Sequence, residues 1–317
     1  MGYEKATSLD VARKAGVSQS AVSRVFTPGA SASQKTIDKV RKAASELGYR
    51  PNILARSLIT GRSRIIGLVV AYLNNQFYPE ALEKLSTRLQ KEGYHVLIFM
   101  ATNTKGDIGS VVDEILDYQV DGIVAASVAM SSDLAARCQA AGVPVVLFNR
   151  SQSDSTLSSV TADNVEGGRI AAQHLLELGH TRIGHIAGWE GASTQLDRET
   201  GFNTRLGENG LRVVRREIGN FHMDQAQDAT RKMFNDENHP TAVFAATDHM
   251  SFAVVGVLRS ELGLKVPEDV SVIGFDDVPL AGYPAYDLTT IRQPANRMAD
   301  ATVDVILDQI EQPGHAQ

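Results

Sequence analysis

Four hydrogen-bonding side chains near the N-terminus have the types and the spacing of a binding surface. Gln19, Ser20, Ser23 and Arg24 occur together in the short segment QSAVSRV, whose remaining positions are small and apolar. If this segment is a helix, its apolar side packs on a neighbouring element and the amide, hydroxyl and guanidinium groups face outward. The partner of these groups then depends on the elements that position them.

Two predicted helices around a tight turn, in TSLDVARKAGVSQSAVSRVF, position this surface. Thr7 can cap the first helix, with Asp10 in the capping-box position. Gly16 ends that helix in the left-handed conformation, and Ser18 caps the second. Apolar residues of the first helix are expected to make its packing contacts: Leu9, Val11, Ala12 and Ala15. This is the helix-turn-helix pattern, whose second helix enters the DNA major groove, although an ordinary helical hairpin is the alternative.

The segments that follow favour the DNA interpretation. Ser33 can cap a third helix that runs to about Leu47, so residues 1–50 are predicted to form an all-α head. Residues 51–62 are predicted to be a hinge with one or two helical turns, Asn52 to Ile59. Such a short helix is unstable alone in water. Leu58 would rest on the next domain in an ordinary linker, but in a DNA-bound dimer it could wedge a base step from the minor groove.

The charge of the chain is segregated between its two ends. Residues 1–64 carry 12 Lys and Arg against 4 Asp and Glu, whereas the other residues carry 19 against 33, for a net charge of −6 over all 317 residues. A basic head on an acidic body is expected of a DNA-binding module fused to a domain that does not bind DNA.

Composition excludes several other classes of protein. The apolar runs are much shorter than the roughly 18 residues that span a membrane, and no secretory signal is visible, so we expect a cytoplasmic protein without a membrane partner. Cys138 is the single cysteine, which fits a reducing compartment and a packing role.

From Ile65 onward, short apolar runs alternate with amphipathic segments. The predicted strands are IIGLVVA, HVLIFMA, DGIVAAS, PVVLFNR, RIGHIAG, AVFAAT and VSVIGFDD. Apolar strands that alternate with helices indicate parallel sheets, and the number of units suggests two doubly wound subdomains. We place a first crossover in Arg150–Ser159 and the return near LTTIRQP. The core is therefore residues 63–317, with subdomain one at about 63–160 and 293–317 and subdomain two at about 161–292. Small ligands bind between such subdomains, at the carboxyl ends of the strands.

Several motifs together resemble the lac-repressor (LacI/GalR) family of bacterial transcription regulators. They include VARKAGVSQSAVSRVF, ELGYRPNILARSL, TADNVEGGRIAAQHLLELGH, DRETGF and VPEDVSVIGFDD, and the resemblance covers nearly the whole chain. It implies a helix-turn-helix head, a hinge helix, a core like a type I periplasmic binding protein, and a homodimer on a palindromic operator. Ligand in the cleft would control operator binding, as an inducer or as a co-repressor. The sequence ends at EQPGHAQ without the closing strand usual in the family, and the absence of a heptad tail favours a dimer.

The resemblance also assigns roles to individual residues. Base-reading positions fall on Gln19, Ser20 and Arg24, of which Gln19 suits adenine and Arg24 suits guanine. Phosphate contacts are expected at Thr7, Ser18, Ser23 and Asn52, a minor-groove contact at Ala55 and the wedge at Leu58.

Eight residues are predicted to bind a small ligand, for which a sugar or sugar derivative is favoured over a nucleobase or another metabolite. Arg198 and Asp276 match family residues that reach the ligand, and the others are Phe77, Asn149, Trp189, Thr194, Phe221 and Asp248. Polar groups would bind hydroxyls while an aromatic ring packs on the sugar. Alternatively, Trp189 belongs to the core and Asp248 only caps a helix.

Two other classes of protein share the predicted core. A solute-binding protein would need a signal peptide and has no use for a basic head. An α/β enzyme would need a catalytic or cofactor motif, and the sequence contains no nucleophile elbow, phosphate loop, dinucleotide fingerprint or metal-ligand spacing. We therefore expect no catalytic activity, no cofactor and no metal.

Overall fold

The computed structural model describes residues 6–27, 30–51, 61–71, 73–101, 109–128, 130–152 and 157–312. The chain divides into two compact units, Met1–Ser63 and Arg64–Gln317. The predicted hinge helix, Asn52 to Ile59, lies outside the described residues.

The first unit is a head of three helices, α1 (Ser8–Ala15), α2 (Gln19–Val25) and α3 (Gln34–Leu47). Its buried residues come from all three helices: Val11, Ala12, Val22, Val40, Ala43 and Ala44. Leu9 does not join them, because 52% of its surface is exposed, so the predicted packing role of this residue is wrong. Leu9 lies next to the cap of α1, outside the buried stripe that Val11 and Ala12 form.

Local side-chain chemistry fixes the ends of the head helices. The Thr7 hydroxyl accepts a hydrogen bond from the Asp10 amide at 3.3 Å, and the Asp10 carboxylate accepts one from the Thr7 amide at 3.0 Å. Gly16 ends α1 with a φ of 64°, and the Ser18 hydroxyl caps α2 by accepting a bond from the Ala21 amide at 3.2 Å. These caps satisfy amides that have no partner within a helix. The predicted helix-turn-helix is confirmed.

The second unit is an α/β core. Among its described residues the strands are β1 (Ile65–Val70), β2 (His95–Met100), β3 (Gly122–Ala126), β4 (Val145–Phe148), β5 (Ser158–Val160), β6 (Ile183–Ala187), β7 (Arg215–Ile218), β8 (Ala242–Ala245), β9 (Ser271–Asp276) and β10 (Thr289–Arg292). The helices are α4 (Phe77–Lys91), α5 (Gly109–Asp117), α6 (Ser132–Ala140), α7 (Asn164–Glu177), α8 (Ser193–Glu208), α9 (Met223–Met233), α10 (Asp248–Ser260) and α11 (Ala295–Glu311).

Within the described chain these strands form two parallel sheets of five, in the orders β2-β1-β3-β4-β5 and β7-β6-β8-β9-β10. Both follow the doubly wound order 2-1-3-4-5, so the core contains two subdomains of one topology. The predicted fold class is confirmed. Helix α11 packs on α4 and on β3, β4 and β5, so the chain returns to the first subdomain after β10.

Helices on both faces explain why the inner strands are apolar at most positions. Leu68 and Val124 belong to a cluster on the α4 and α11 side of the first sheet. The residues next to them in sequence, Val69 and Ala125, belong to the cluster on the other side, under α5 and α6. A strand buried on both faces reads as a continuous apolar run, and this signal predicted the six inner strands, β1, β3, β4, β6, β8 and β9.

Strands β5, β7 and β10 were not predicted, and all three lie at sheet edges. The segment Arg215–Ile218 has the sequence RREI, and Thr289–Arg292 has the sequence TTIR. Ser158–Val160 falls at the end of the stretch that the sequence analysis interprets as a crossover. An edge strand can carry fewer apolar residues because it is less covered, so the hydrophobic pattern did not detect these three, although it did detect the apolar edge strand β2.

Candidate functional site

Helix α2 presents a polar face to solvent. Gln19, Ser20, Ser23 and Arg24 are all exposed, while Val22 is buried against the other two helices. The polar side of α2 therefore faces solvent and its apolar side faces the other helices, as predicted. The exposed side carries donors and acceptors suited to base edges in a major groove.

Several polar groups of this face hydrogen-bond to other groups of the head. The Gln19 amide donates to the Ser8 hydroxyl at 2.9 Å, and the Ser18 and Ser20 hydroxyls lie 2.9 Å apart. Arg24 Nε donates to the Ser20 carbonyl at 3.4 Å, a long bond that leaves the guanidinium in solvent. Solvent-exposed bonds of this kind exchange readily for bonds to a partner. The other predicted contacts, Asn52, Ala55 and Leu58, lie outside the described residues.

The second unit contains a cavity between its two subdomains, with about 320 Å³ of empty space that is partly open to solvent. Its lining comes from segments that follow strands of both sheets, where an α/β fold binds its ligands. Six of the eight predicted ligand residues line it: Phe77, Asn149, Thr194, Arg198, Phe221 and Asp276.

The wall from the first subdomain is aromatic with an amide edge. Phe77 begins α4, and its ring stacks on Phe148 with centroids 6.2 Å apart and packs edge-on against Tyr78 at 5.5 Å. The Asn149 amide donates to the Tyr78 hydroxyl at 3.2 Å, and its oxygen has no hydrogen-bond partner among the described residues. This wall therefore offers an apolar ring together with an unused acceptor.

The wall from the second subdomain contains a buried arginine on α8. Arg198 Nε donates to the Asn164 side-chain oxygen at 2.8 Å, and Nη1 donates to the Ala246 carbonyl at 2.6 Å. Its guanidinium carbon lies 3.7 Å from the centre of the Phe275 ring. Only 2% of the side chain is exposed. These contacts hold the guanidinium plane in one orientation at the edge of the cavity.

Asp276 faces this arginine at the end of β9. Its Oδ1 lies 3.7 Å from Arg198 Nη1 and accepts a bond from the Gln293 amide at 2.6 Å. Oδ2 has no hydrogen bond of ordinary geometry among the described residues. Burial raises the pKa of Asp276 to about 7, although the charge of Arg198 opposes the shift. Burial dominates because desolvation penalises the carboxylate more than one cation at this distance stabilises it.

Several residues around the cavity have left-handed backbone conformations that are rare outside glycine. The φ angles are 63° at Ser127, 58° at Asn149, 65° at Phe221 and 136° at Asp276. Each residue ends or follows a strand. Conformations of this kind cost free energy and are kept where a side chain must be aimed at a site. Here they turn four lining side chains toward the space between the sheets.

A buried network of polar groups connects β6 to the start of α8. His185, on β6, donates from Nδ1 to the Phe244 carbonyl at 2.9 Å, so its Nε2 accepts from the Gln195 amide at 3.2 Å. Gln195 also accepts a bond from the Gly188 amide at 2.6 Å. Burial lowers the pKa of His185 to about 4, which keeps the ring neutral. The network therefore anchors the first turn of α8, three residues before Arg198.

Asp248 and Trp189 do not line the cavity. Asp248 is buried at the start of α10, where Oδ2 accepts from the Val278 amide at 3.0 Å and Oδ1 accepts from the Thr290 hydroxyl. Burial raises the pKa of this carboxyl to about 6. Both of its oxygens are therefore used within the protein. The ring of Trp189 is half-buried and lies over the Arg150 guanidinium at 5.2 Å, and it is Arg150 that lines the cavity.

Five further lining residues were not predicted: Asn75, Tyr78, Ser127, Arg150 and Thr247. Ser127 directly follows β3, Thr247 lies two residues beyond β8, and Arg150 lies two residues beyond β4. A search for polar residues just after each predicted strand would have found these three. Tyr78 follows the predicted Phe77 in sequence, and Asn75 has no comparable signal.

A helix-turn-helix head and a second, α/β unit with a cavity define a DNA-binding protein with an additional domain. The family described as bacterial regulatory proteins, lacI family, matches residues 7–52, and a periplasmic binding protein-like domain matches residues 172–317. The HTH-type transcriptional repressor PurR of Vibrio vulnificus is 34% identical over 325 residues, which cover 98% of this chain and 93% of that protein. The chain belongs to the lacI family, and it is therefore a DNA-binding transcription regulator.

Two solved structures are also similar. The Lac repressor dimer bound to operator and the anti-inducer ONPF has a TM-score of 0.86 and 27% identity, and the match covers 98% of this chain and 94% of that one. A LacI family regulator from Enterococcus faecium with bound ribose has a TM-score of 0.71 and 25% identity, with 79% of this chain and 91% of that one covered.

No group of three or more His, Cys, Asp or Glu residues in the described part of the chain is arranged to hold a metal ion. No helix in the same residues is both long and apolar enough to cross a membrane.

Proposed function

We propose that the protein is a homodimeric repressor that binds a palindromic operator through α2 and is controlled by a sugar, or a sugar derivative, bound in the cavity. The genes it regulates would then serve carbohydrate uptake or metabolism. The observation that carries the ligand proposal is the pairing of buried Arg198 and Asp276 opposite the aromatic wall at Phe77.

A sugar suits this cavity for two reasons. The unused acceptors Asp276 Oδ2 and Asn149 Oδ1 would accept bonds from hydroxyls, and the Arg198 guanidinium would donate to them. Phe77 and Phe221 offer rings for the apolar face of a pyranose or furanose. A similar regulator that binds ribose supports the same class.

A flat heterocycle such as a nucleobase is the second candidate. The observation in its favour is that two phenylalanines, Phe77 and Phe221, line one small cavity. Two rings can enclose a planar ligand as well as a sugar. The unused acceptors favour the sugar, because a ligand with several hydroxyls satisfies both of them with donors.

The dimer would use apolar surface that the second unit leaves exposed. Ile98 and Met100 lie on β2, at the edge of the first sheet, with 52% and 46% of their surfaces exposed. Tyr283 is a third large exposed side chain. Exposed apolar residues on an edge strand are candidates for an interface between chains. The similar Lac repressor forms a dimer on its operator.

Residues 51–62 would act as the hinge between the head, residues 1–50, and the core from residue 63 onward. Subdomain one is residues of about 63–160 and 293–317, and subdomain two is residues of about 161–292. Ligand binding would change the orientation of one subdomain relative to the other, and this change would move β1 and the hinge attached to it. Paired hinges would fold only when docked in the minor groove, with Leu58 as the wedge. Thr7, Ser18, Ser23 and Asn52 would contact phosphates, while Gln19, Ser20 and Arg24 would read bases and Ala55 the minor groove.

Selection of genomic fragments by the purified full-length protein at near-physiological salt tests the DNA half of the proposal. We expect a palindromic site with a flexible central step, and diffuse binding that salt abolishes would contradict it. Leu58→Ala should weaken binding to the selected site and leave ligand affinity unchanged. Equal operator affinity would refute the wedge.

Calorimetric titration with a panel of monosaccharides, cellobiose and free nucleobases tests the ligand half. We expect one monosaccharide to bind and to change operator affinity in either direction. Binding of a nucleobase alone would replace the sugar by the heterocycle. Incubation with the bound sugar should return it unchanged, because we expect no turnover.

A further inference from the structure

The segment that follows β4 meets the segment that follows β6 at the cavity, and it does so through Arg150 and Trp189. Arg150 comes from the first subdomain and Trp189 from the second, and the guanidinium carbon lies 5.2 Å from the centre of the indole ring. A second contact lies beside it, where the Ser151 amide donates to the Ser193 hydroxyl at 3.0 Å. The two subdomains are therefore joined here by a stacked pair and a hydrogen bond.

Both partners of the stacked pair are held in place. Arg150 has 4% of its surface exposed, and its Nη2 donates to the Ser127 hydroxyl at 3.4 Å. The loop of Trp189 is tied to its own subdomain by the Gly188 amide, which donates to Gln195, and by the ion pair of Glu190 with Arg216 at 3.0 Å.

Glycine at position 191 allows the indole ring to lie along its own loop. A β-carbon at Gly191 would lie 2.3 Å from Trp189 Cζ2, closer than real β-carbons approach any atom. The indole ring therefore lies close to the backbone at Gly191, and it also contacts the guanidinium of Arg150 from the other subdomain.

We propose that Arg150 and Trp189 form a latch across the mouth of the cavity, and that Trp189 is a positioning residue that acts on the ligand through Arg150. Arg150 lines the cavity, so a ligand that contacts its guanidinium also stabilises the stack on Trp189. Opening of the cleft breaks both interactions together. By linkage, each contact then strengthens the other.

The strength of the coupling follows from the interaction type. A cation over an indole ring contributes roughly 2- to 30-fold in an equilibrium constant, depending on how far the pair is desolvated. Arg150 is buried and Trp189 is half-buried, so we expect about 5- to 10-fold. The sugar class of ligand rests on the proposed function, but the latch itself does not.

The first experiment needs no ligand, because Trp189 is the single tryptophan of the chain. Acrylamide quenching of the full-length protein therefore reports on this ring alone. Arg150→Lys keeps the charge but removes the planar group, so we expect quenching to rise about twofold and the emission to shift to the red. Arg137→Lys is the matched control, since Arg137 pairs with Asp113 at the surface of α6. It should leave quenching unchanged.

The second experiment measures ligand affinity by calorimetry, with D-ribose first and then the other monosaccharides. Trp189→Leu should weaken binding about 5- to 10-fold, and Trp189→Tyr should restore most of it because an aromatic face returns. In the double variant Trp189→Leu with Arg150→Lys, the fold loss of ligand affinity should be smaller than the product of the two single-variant losses, since both substitutions break the same contact. A merely structural role for Trp189 would give neither rescue by Tyr nor such coupling.

The outcomes separate the latch from the ligand class. Equal quenching in Arg150→Lys and the wild type overturns the latch, whichever ligand binds. Altered quenching with no binding of any sugar supports the latch and refutes the sugar. Losses that multiply fully in the double variant overturn the coupling to the ligand.

Discussion

The head and the cavity solve the problem of presenting functional groups in opposite ways. In the head, the exposed face of α2 is one continuous stretch of sequence, and the helix ends that hold it are capped within three residues. In the cavity, the lining side chains come from segments between Asn75 and Asp276 and most are buried. Exposed groups cost little to place, whereas buried polar groups need partners or they destabilise the fold.

This difference makes the two sites respond differently to substitution. Substitution of an exposed polar residue on α2 leaves no void in the core and no buried polar group without a partner, so it should affect DNA binding alone. A polar residue in the cavity is also part of the fold, so its loss should affect ligand binding and stability together. The following substitutions test this contrast.

Arg198→Leu should have the largest effect. It leaves Asp276 and Asn164 without the guanidinium, so sugar affinity should fall at least about 100-fold, and the free energy of unfolding should fall by about 3 kcal/mol or more. Calorimetry and chemical denaturation, followed by Trp189 fluorescence, measure the two effects. Arg198→Lys keeps the charge and should lose less stability but still bind weakly.

The control is Arg205→Leu on the same helix, where the side chain is partly exposed and pairs with Glu208 at 2.7 Å. Its ligand affinity should stay within about twofold, and its stability should change by about 1 kcal/mol or less. Equal effects of the two leucine variants would contradict a special role for Arg198.

Arg24→Ala should reduce affinity for the selected operator by about 10- to 100-fold, the value of a bidentate contact with guanine. Affinity for random DNA should fall much less, and the stability of the protein should not change, because Arg24 is exposed. Fluorescence anisotropy with both DNAs measures the ratio. Arg13→Ala removes the same charge from α1 and should lower both affinities equally. If Arg24→Ala did the same, Arg24 would contact phosphate and not bases.

The contrast also decides what could be predicted from sequence. The caps at Thr7, Ser18 and Gly16 are local patterns of residue type and spacing, so they were predicted position by position. The inner strands were predicted because burial on both faces leaves a continuous apolar run. Edge strands such as Arg215–Ile218 lack that run and were missed.

In the cavity, sequence alone does not separate polar residues that face a ligand from those that bind the protein. Asp248 and Asp276 are both buried carboxylates near strand ends. Both oxygens of Asp248 accept hydrogen bonds, from the Val278 amide and the Thr290 hydroxyl, whereas Asp276 Oδ2 has no hydrogen-bond partner among the described residues. The distinction depends on partners 30 and 42 residues away in sequence. Such partners are brought near only by the fold.

Ligand binding should also depend on pH through Asp276. Its folded pKa of about 7 lies above the usual value of 3.8, so the carboxyl is partly protonated near neutrality. Sugar hydroxyls bind the charged form, so binding should release a proton below pH 7 and become about 10-fold tighter between pH 6 and pH 8. Calorimetry in two buffers of different ionisation enthalpy counts the protons.

His222→Gln is the control for this pH effect, because His222 directly follows Phe221 of the cavity in sequence. The pH dependence should persist in that variant. A wild-type affinity that is constant from pH 6 to pH 8, with no proton released, would contradict the coupling of ligand binding to the ionisation of Asp276.

Thr7→Ala should have the smallest effect, and it should be confined to the head. The substitution removes the hydroxyl that accepts from the Asp10 amide at 3.3 Å and donates to its carboxylate at 2.6 Å. Loss of an N-cap costs about 1 kcal/mol, so amides in the first turn of α1 should exchange with deuterium about fivefold faster in the full-length protein. Thr7→Ser keeps the hydroxyl and should exchange at the wild-type rate. The exchange rate of peptides around Asp276 should be unchanged in both variants, because the cap acts only on its own helix. Faster exchange around Asp276 would contradict the contrast between a head built from local sequence and a cavity built from distant segments.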